Sequence, residues 1–285
     1  MHEVRTYSTP AEYWKDVGPF LLEDEALHSR AIGLARRFID QGLSFEGAGA
    51  APGSLLASVW RPDGRLDFAA WWTPPYALAV TGGGAPGIES LVQLIRERGG
   101  SFGRCNGPAS SMDHLARTVG EAFTPGIETV LHRLDAVADS RPRPGISVTL
   151  ASPGDTELIQ HWNYRFAVDC GLLGEGSEEP ADATVRRGGQ YFLGKDAAGE
   201  PVSMAAITRE TPKSACLSYV YTPEPFRGRG YASAVVAEVS QFALKSGKSY
   251  CTLFTDRKNP TSNKIYRALG YRPIGEFREI VFGTE

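Results

Sequence analysis

Cysteine is scarce and scattered. The four, Cys105, Cys170, Cys216 and Cys251, form no CxxC pair, which removes a zinc ribbon and a disulfide framework from consideration and leaves most of them as small core residues. The five histidines fall in no HExxH or related ligand spacing, and no GxSxG elbow occurs, so neither a metal site nor a serine-hydrolase centre is expected. No run approaches the ~20 apolar residues that span a bilayer, and the opening MHEVRTYSTP has no apolar leader segment. The expectation is a cytoplasmic protein with no membrane partner. Basic charge is also lacking: 30 Lys and Arg stand against 33 Asp and Glu, a formal net charge of −3, which argues against a general nucleic-acid surface.

What is present is ordinary for a folded protein: 285 residues, 42% apolar and 22% charged. The length suits two domains of roughly 100 to 200 residues each. The most informative stretch is 217–232, LSYVYTPEPFRGRGYA. Leu217, Tyr219 and Tyr221 alternate with Ser218, Val220 and Thr222 in a β-branched and aromatic run, the composition of a strand. Pro223 and Pro225 end it. Gly228 and Gly230 then let backbone N–H groups approach an anion, and Arg227 and Arg229 bring positive charge. A helix predicted from about Ala232 aims its positive end at the same place. Val235, Val239 and Phe242 share one face of that helix, Lys245 lies near its end and Gly247 just after it. All of this converges on a polyphosphate.

Two rival readings of the glycines are weaker. Gly228-x-Gly230 with Asp256 downstream imitates a dinucleotide fingerprint, but the third position is Ser233, the turn 223–227 is too long, and Asp256 comes later than the usual ~20 residues. Gly247-Lys248-Ser249 imitates the end of a Walker loop, yet Phe242 stands where the first glycine belongs and the motif precedes a strand instead of following one.

Downstream of a strand-like run at 250–255 comes NPTSNKIYRALGY, residues 259–271. Arg227, Gly230 and Ala232 keep the spacing Arg-x-x-Gly-x-Ala, while Asn259, Ser262, Asn263, Tyr266, Leu269, Gly270 and Tyr271 make a short Asn- and Tyr-bearing helix that closes in Leu-Gly-Tyr. Together the two stretches resemble the GNAT acyl-CoA N-acyltransferase superfamily over about residues 146–285. The resemblance implies an α/β (α+β) fold, a mixed, mostly antiparallel central sheet flanked by helices. It implies acetyl-CoA as donor, held by Val220, Tyr221, Thr222, Arg227, Gly228, Arg229, Gly230, Tyr231, Ala232, Ser233, Asn259 and Asn263. Val220 to Thr222, splayed from the next strand, would offer backbone groups to the pantetheine and the thioester oxygen. Tyr266 matches the tyrosine that protonates the leaving thiolate, and a phenol of ordinary pKa, about 10, is protonated at neutral pH.

The implied activity is transfer of an acetyl group to a primary amine by direct attack in a ternary complex, with a small-molecule or peptide acceptor and a monomer or homodimer as the working unit. A non-catalytic acyl-CoA-binding or assembly module stays open beside it. So does the base, for which Glu210 and a water chain past Tyr219 are both candidates.

The first half repeats the order of the second. Phe20, Leu21, Leu27, Ile32, Leu34, Ala35 and Phe38 recur at threes and fours in one or two helices over 13–38. Strand-like runs 55–60 and 66–72 follow, joined at Arg61-Pro62-Asp63-Gly64, then a short strand 76–80 and a helix 88–98. In the second half, 155–170 reads as a helix with Leu158, Ile159, Trp162 and Phe166 on one side, and runs 190–195 and 201–209 flank a turn. Where the phosphate loop belongs the first half has TGGGAP, residues 81–86: glycines without arginine. Residues 1–138 thus read as a degenerate GNAT-like domain without the cofactor motif, with 112–123 as the counterpart of the second-motif helix and 127–134 as a closing strand. Residues 139–145, DSRPRPG, read as linker, and 146–285 as the acetyl-CoA-binding catalytic domain. Glu175, Glu178 and Glu179, in a loop bracketed by Asp169 and Asp182, are candidates for attracting a cationic amine.

Overall fold

The computed structural model describes residues 2–42, 45, 53–138, 145–173 and 190–283. The linker at 139–144 and the acidic loop with Glu175, Glu178, Glu179 and Asp182 lie outside these residues. In chain order the first elements are β1 (Glu3–Thr6), α1 (Pro10–Glu23), α2 (Ser29–Asp40), β2 (Leu55–Trp60), β3 (Leu66–Trp72) and β4 (Leu78–Val80). Next come α3 (Ala85–Glu97), β5 (Arg104–Pro108), α4 (Ala109–Val119) and β6 (Phe123–Leu134). There follow β7 (Ser147–Leu150), α5 (Thr156–Asp169), β8 (Gln190–Lys195), β9 (Pro201–Glu210) and β10 (Ser214–Tyr221). The last are α6 (Tyr231–Lys245), β11 (Tyr250–Asp256), α7 (Pro260–Ala268) and β12 (Arg272–Phe282). This is the mixed, mostly antiparallel α/β fold expected, with seven helices among the described residues.

The chain divides into two compact units, and the division departs from a cut at 139–145. Unit 1 is Met1–Leu131, Asp256–Lys258 and Ile274–Glu285; unit 2 is His132–Thr255 and Asn259–Pro273. The C-terminal strand, read with the second domain, therefore belongs to unit 1. Its reason is apolar. β12 pairs antiparallel with β5 from Phe277↔Pro108 to Val281↔Arg104, which puts Ile280 and Phe282 into the unit 1 core. The Phe282 ring lies 6.0 Å from Phe102 and 5.9 Å from Phe123. Leaving two such side chains in water would forgo about 1.5–3 kcal/mol each.

Unit 1 runs β1-β2-β3-β4-β5-β12-β6; from β1 to β12 the neighbours are antiparallel except where β4 meets β5. β2 is buried on both faces: Leu55, Ala57 and Val59 join a core with Ile88 and Leu91 of α3, while Leu56 joins one with Val17 and Leu21 of α1. Burial on two sides explains its unbroken apolar sequence. The periodic stretch 13–38 resolves into α1 and α2, separated by a turn; α1 opens on a capping box in which Thr9 and Glu12 exchange hydrogen bonds of 3.2 Å.

α3 begins directly after TGGGAP, and no side chain of its own N-cap closes it. A carboxylate from β3 stands there instead. Asp67 Oδ1 accepts from Arg61 Nε at 2.8 Å and Nη2 at 2.6 Å, and Oδ2 lies 3.6 Å from His2 Nε2. The same Oδ2 is 2.7 Å from where a Cβ on Gly87 would be, in the first turn of α3. An internal anion thus already sits at the positive end of this helix.

Unit 2 runs β7-β8-β9-β10-β11, antiparallel except β10 with β11. Alternation sorts its side chains. Phe192, Ala205 and Leu217 face a core with Val235, Val236 and Val239 of α6, whereas Tyr191, Leu193, Met204, Ala206 and Tyr221 face Ile159 and Trp162 of α5. The α6 contact is close: a Cβ on Gly194 would stand 2.4 Å from Val235 Cγ2.

Candidate functional site

Three features of unit 2 come together around the end of β10. The first is a splay. β10 and β11 pair in parallel from Ser214↔Tyr250 to Leu217↔Leu253, while β10 continues to Tyr221 with a bulge against β9: Ser218 opposes Ala206 and Tyr221 opposes Met204, so Tyr219 and Val220 share the place of one residue. Tyr219 has φ of 50°, the one positive φ among the described non-glycine residues. Val220, Tyr221 and Thr222 follow directly, and the end of the strand is anchored by Ser203, whose Oγ donates to Tyr221 O at 3.0 Å and pairs with Thr222 Oγ1 at 2.9 Å.

The second feature is the turn into α6. Gly228 and Gly230 have φ of 76° and 82°, conformations that disfavour any side chain, and a Cβ on Gly228 would meet nothing within 4 Å. The turn is therefore open as well as glycine-bent. α6 starts at Tyr231 with no side-chain cap and no acid in its first turn, so the N–H groups of Tyr231, Ala232 and Ser233 have no intrahelical partner to accept from them. Arg227 and Arg229 are exposed beside it; Phe226 lies under both Arg229, at 5.9 Å, and the Tyr231 ring, at 6.4 Å.

Arg227 is not idle. Its Nε donates to Thr222 O at 2.9 Å and its Nη2 to Asp169 Oδ2 at 2.5 Å. Asp169 closes α5, where Arg165 also reaches it at 3.6 Å. This pairing was not anticipated, and a separation of 58 residues leaves no local signal for it.

The third feature is α7. Asn259 caps it, with Oδ1 accepting from Ser262 N at 3.0 Å. Asn263 Nδ2 donates to Asn259 O at 2.8 Å, and its Oδ1 accepts from Thr255 Oγ1 at 2.7 Å. Both asparagines thus fix the start of α7 to the end of β11. Tyr266, one turn on, is buried in the cluster that holds Leu217, Val220 and Val235. Burial raises its phenol pKa above the ordinary value, and the neighbouring Cys170 thiol adds to the effect. Tyr271 anchors the segment from below, its hydroxyl 2.8 Å from Ser240 Oγ on α6.

Glu210 is misplaced for a base. It pairs with Ala215 at the opening of β10 and with Lys248 Nζ at 3.2 Å. Six residues of strand separate Ala215 from Tyr221, about 20 Å at the strand rise. Of the cysteines, Cys105, Cys216 and Cys251 are buried and Cys170 is exposed. Among the described residues no helix is long and apolar enough to cross a membrane.

Residues 159–271 match the profile of the acetyltransferase (GNAT) family. This segment is similar to the GNAT acetyltransferases. It takes in the splayed β10, the α6 turn, β11 and α7 together. An acetyltransferase of the GNAT family from Colwellia psychrerythraea shares the fold over 99% of this chain and 100% of its own, with a TM-score of 0.57 at 12% identity. A tandem GNAT protein from the clavulanic acid biosynthesis pathway covers 100% of both chains at a TM-score of 0.54 and 13% identity. The GNAT fold likeness thus extends to both halves. A curated relative, N-acetylaspartate synthetase from Danio rerio, is 33% identical over 73 residues, 26% of this chain and 26% of that protein. The match spans about a quarter of that relative's length.

Proposed function

We propose that the protein is an N-acetyltransferase that moves an acetyl group from acetyl-CoA to a primary amine by direct attack in a ternary complex. The observation that carries this reading is the uncapped, glycine-bent start of α6, flanked by Arg227 and Arg229 and placed next to a β10 end that leaves its β11 partner. These donors suit a pyrophosphate: N–H groups of residues 228–233 and two guanidiniums would hold it. The backbone of Val220 to Thr222 suits the pantetheine and the thioester oxygen. Bound acetyl-CoA supplies an activated acetyl thioester to the amine.

Tyr266 is the general acid of this scheme. A phenol carries its proton at Oη throughout the neutral range and can donate it to the leaving thiolate. Asn259 and Asn263 hold the start of α7 and contribute cofactor contacts. The acceptor is a small-molecule or peptide amine; the Danio rerio relative is an N-acetylaspartate synthetase.

Unit 1 is read as a copy that takes no cofactor. Its TGGGAP turn brings no arginine, and Asp67 puts a negative charge where a phosphate would have to sit.

The test is calorimetric titration with acetyl-CoA beside an Arg227→Ala, Gly230→Trp double variant, followed by thiol release with a panel of amines. Micromolar binding to one site, lost in the double variant, together with amine-dependent thiol release, supports the enzyme. Binding without release under any amine leaves a CoA-binding module. A folded protein that does not bind ends the reading.

A further inference from the structure

Tyr219 is held where its backbone is least at ease. A bulky residue at φ of 50° is an outlier, because Cβ crowds the neighbouring carbonyl in the left-handed region. Such a conformation persists only where the surroundings over-determine it, and it occurs most often at functional sites. Here the surroundings are rings. Phe166 of α5 lies 5.4 Å from the Tyr219 ring at 54°, and Tyr191 of β8 lies 6.0 Å away at 41°. Tyr191 is itself fixed, its hydroxyl accepting from Asn163 Nδ2 of α5 at 2.9 Å.

The outlier coincides with the two irregularities that define the site. It falls in the β10 bulge, between Ser218 and Tyr221, and beyond the last β10–β11 pair at Leu217↔Leu253. A bulge re-aims the groups that follow it. The groups that follow this one are Val220, Tyr221 and Thr222.

We infer that Tyr219 is a positioning residue, whose ring, gripped between Phe166 and Tyr191, locks the left-handed bulge that re-aims the Val220–Thr222 backbone where β10 runs on past its last β11 partner while keeping its β9 pairing at Tyr221↔Met204. The inference rests on the acetyltransferase reading for what that backbone then does. It also gives α5 a defined part. Asn163, Phe166 and Asp169 recur every third residue, along one face of the helix, and act on Tyr191, Tyr219 and Arg227 respectively. One helix thereby braces the bulge and also contacts the phosphate turn through Arg227.

The experiment compares Tyr219→Gly, Tyr219→Ala and Tyr219→Phe in the full chain by denaturant midpoint, acetyl-CoA binding and steady-state kinetics. Glycine accepts the left-handed region and alanine resists it, so the midpoint order expected is Tyr, then Gly, then Ala. An ordinary strand position gives the reverse order for the last two. Turnover falls at least tenfold for Tyr219→Ala and less for Tyr219→Gly, and KM for acetyl-CoA changes by a smaller factor than turnover, because the pantetheine contacts move while the pyrophosphate donors are elsewhere. Tyr219→Phe keeps both rings packed and restores turnover to within threefold of wild type.

Alanine more stable than glycine overturns the backbone argument whatever the protein binds. Tyr219→Phe as impaired as Tyr219→Ala overturns it in favour of a role for the hydroxyl. Wild-type protein that binds no acetyl-CoA removes the acetyltransferase reading itself. Binding present with turnover of Tyr219→Ala unchanged removes only the inference drawn from Tyr219.

Discussion

Asp169→Asn is expected to tighten the binding of CoA, an unusual direction for a substitution beside a ligand site. In the structure Asp169 Oδ2 takes Nη2 of Arg227 at 2.5 Å, with side chains 30% and 49% exposed respectively. A pyrophosphate that uses Arg227 must share or displace that carboxylate. Solvent-exposed ion pairs of this kind are worth about 0.2–1 kcal/mol, and 1.4 kcal/mol is a factor of ten, so removing the competitor should strengthen binding by about 1.5- to 5-fold. Arg227→Ala should act in the opposite sense and more strongly, because hydrogen bonds to charged groups contribute about 1.5–3 kcal/mol; the expected loss is roughly tenfold to a hundredfold. Calorimetric titration of CoA into each variant reads both, and repetition at higher salt should shrink the Asp169→Asn gain as screening weakens the pair. Weaker or unchanged binding in Asp169→Asn, with circular dichroism matching wild type, would refute the competition argument.

The remaining predictions concern stability and charge. Gly194→Ala places a Cβ 2.4 Å from Val235 Cγ2, a buried branch that cannot swing away; the expected cost is about 1–3 kcal/mol, measured as a fall in denaturant midpoint. Tyr271→Phe leaves Ser240 its bond to Val236 O but removes the 2.8 Å hydroxyl pair, so about 1 kcal/mol should be lost. Asp67→Asn should destabilise by about 0.5–1 kcal/mol through the α3 positive end, with CoA stoichiometry unchanged at one per chain. Burial pushes the Cys105 and Cys251 thiols up to about 12 from an ordinary 9.0, and raises Tyr13, Tyr266 and Tyr271 above the phenol value of 10.0. Their folded-state pKa values being raised, this contribution is complete below pH 9 and is lost as pH climbs toward the folded values. Midpoints should hold to pH 9 and then fall by about 1.4 kcal/mol per pH unit for each group that must ionise on unfolding; a flat profile to pH 11 would contradict the burial.

Much of the site was legible because its signals are local. Gly228 and Gly230 announce positive φ, Arg227 and Arg229 announce charge, and the valines of α6 fall at helical spacing, so the start of the helix and the end of the strand could be placed within a residue, while the strand begins at Ser214, upstream of the run that starts at Leu217. Asn259, expected from the resemblance as a cofactor contact, proves in the structure to cap α7. Glu210 shows the limit of such reading. Its closeness in sequence to β10 suggested a base, but an antiparallel hairpin places it at the far end of the strand.

Several strands left no pattern to read. β5, RCNGP, has little strand propensity, with Asn, Gly and Pro in five residues, and is a strand because β4 and β12 flank it. β12 seemed to finish the second domain, since nothing between 259 and 285 says where Ile280 and Phe282 will be buried. The grip of Phe166 and Tyr191 on Tyr219, and the hold of Asp169 on Arg227, join residues far apart along the chain.

By itself, then, the amino-acid order determined most of the helices, strands β2, β3, β8, β9 and β10, the glycine-bent basic turn and the GNAT resemblance of the second half, because propensity and glycine conformation act over a few residues. Tertiary structure alone decided which unit receives β12, that Asp67 fills the positive end of α3, and how Tyr219 is held in a strained bulge. Those outcomes depend on which surfaces meet when apolar faces are buried, and that free energy is set by partners outside the local sequence window.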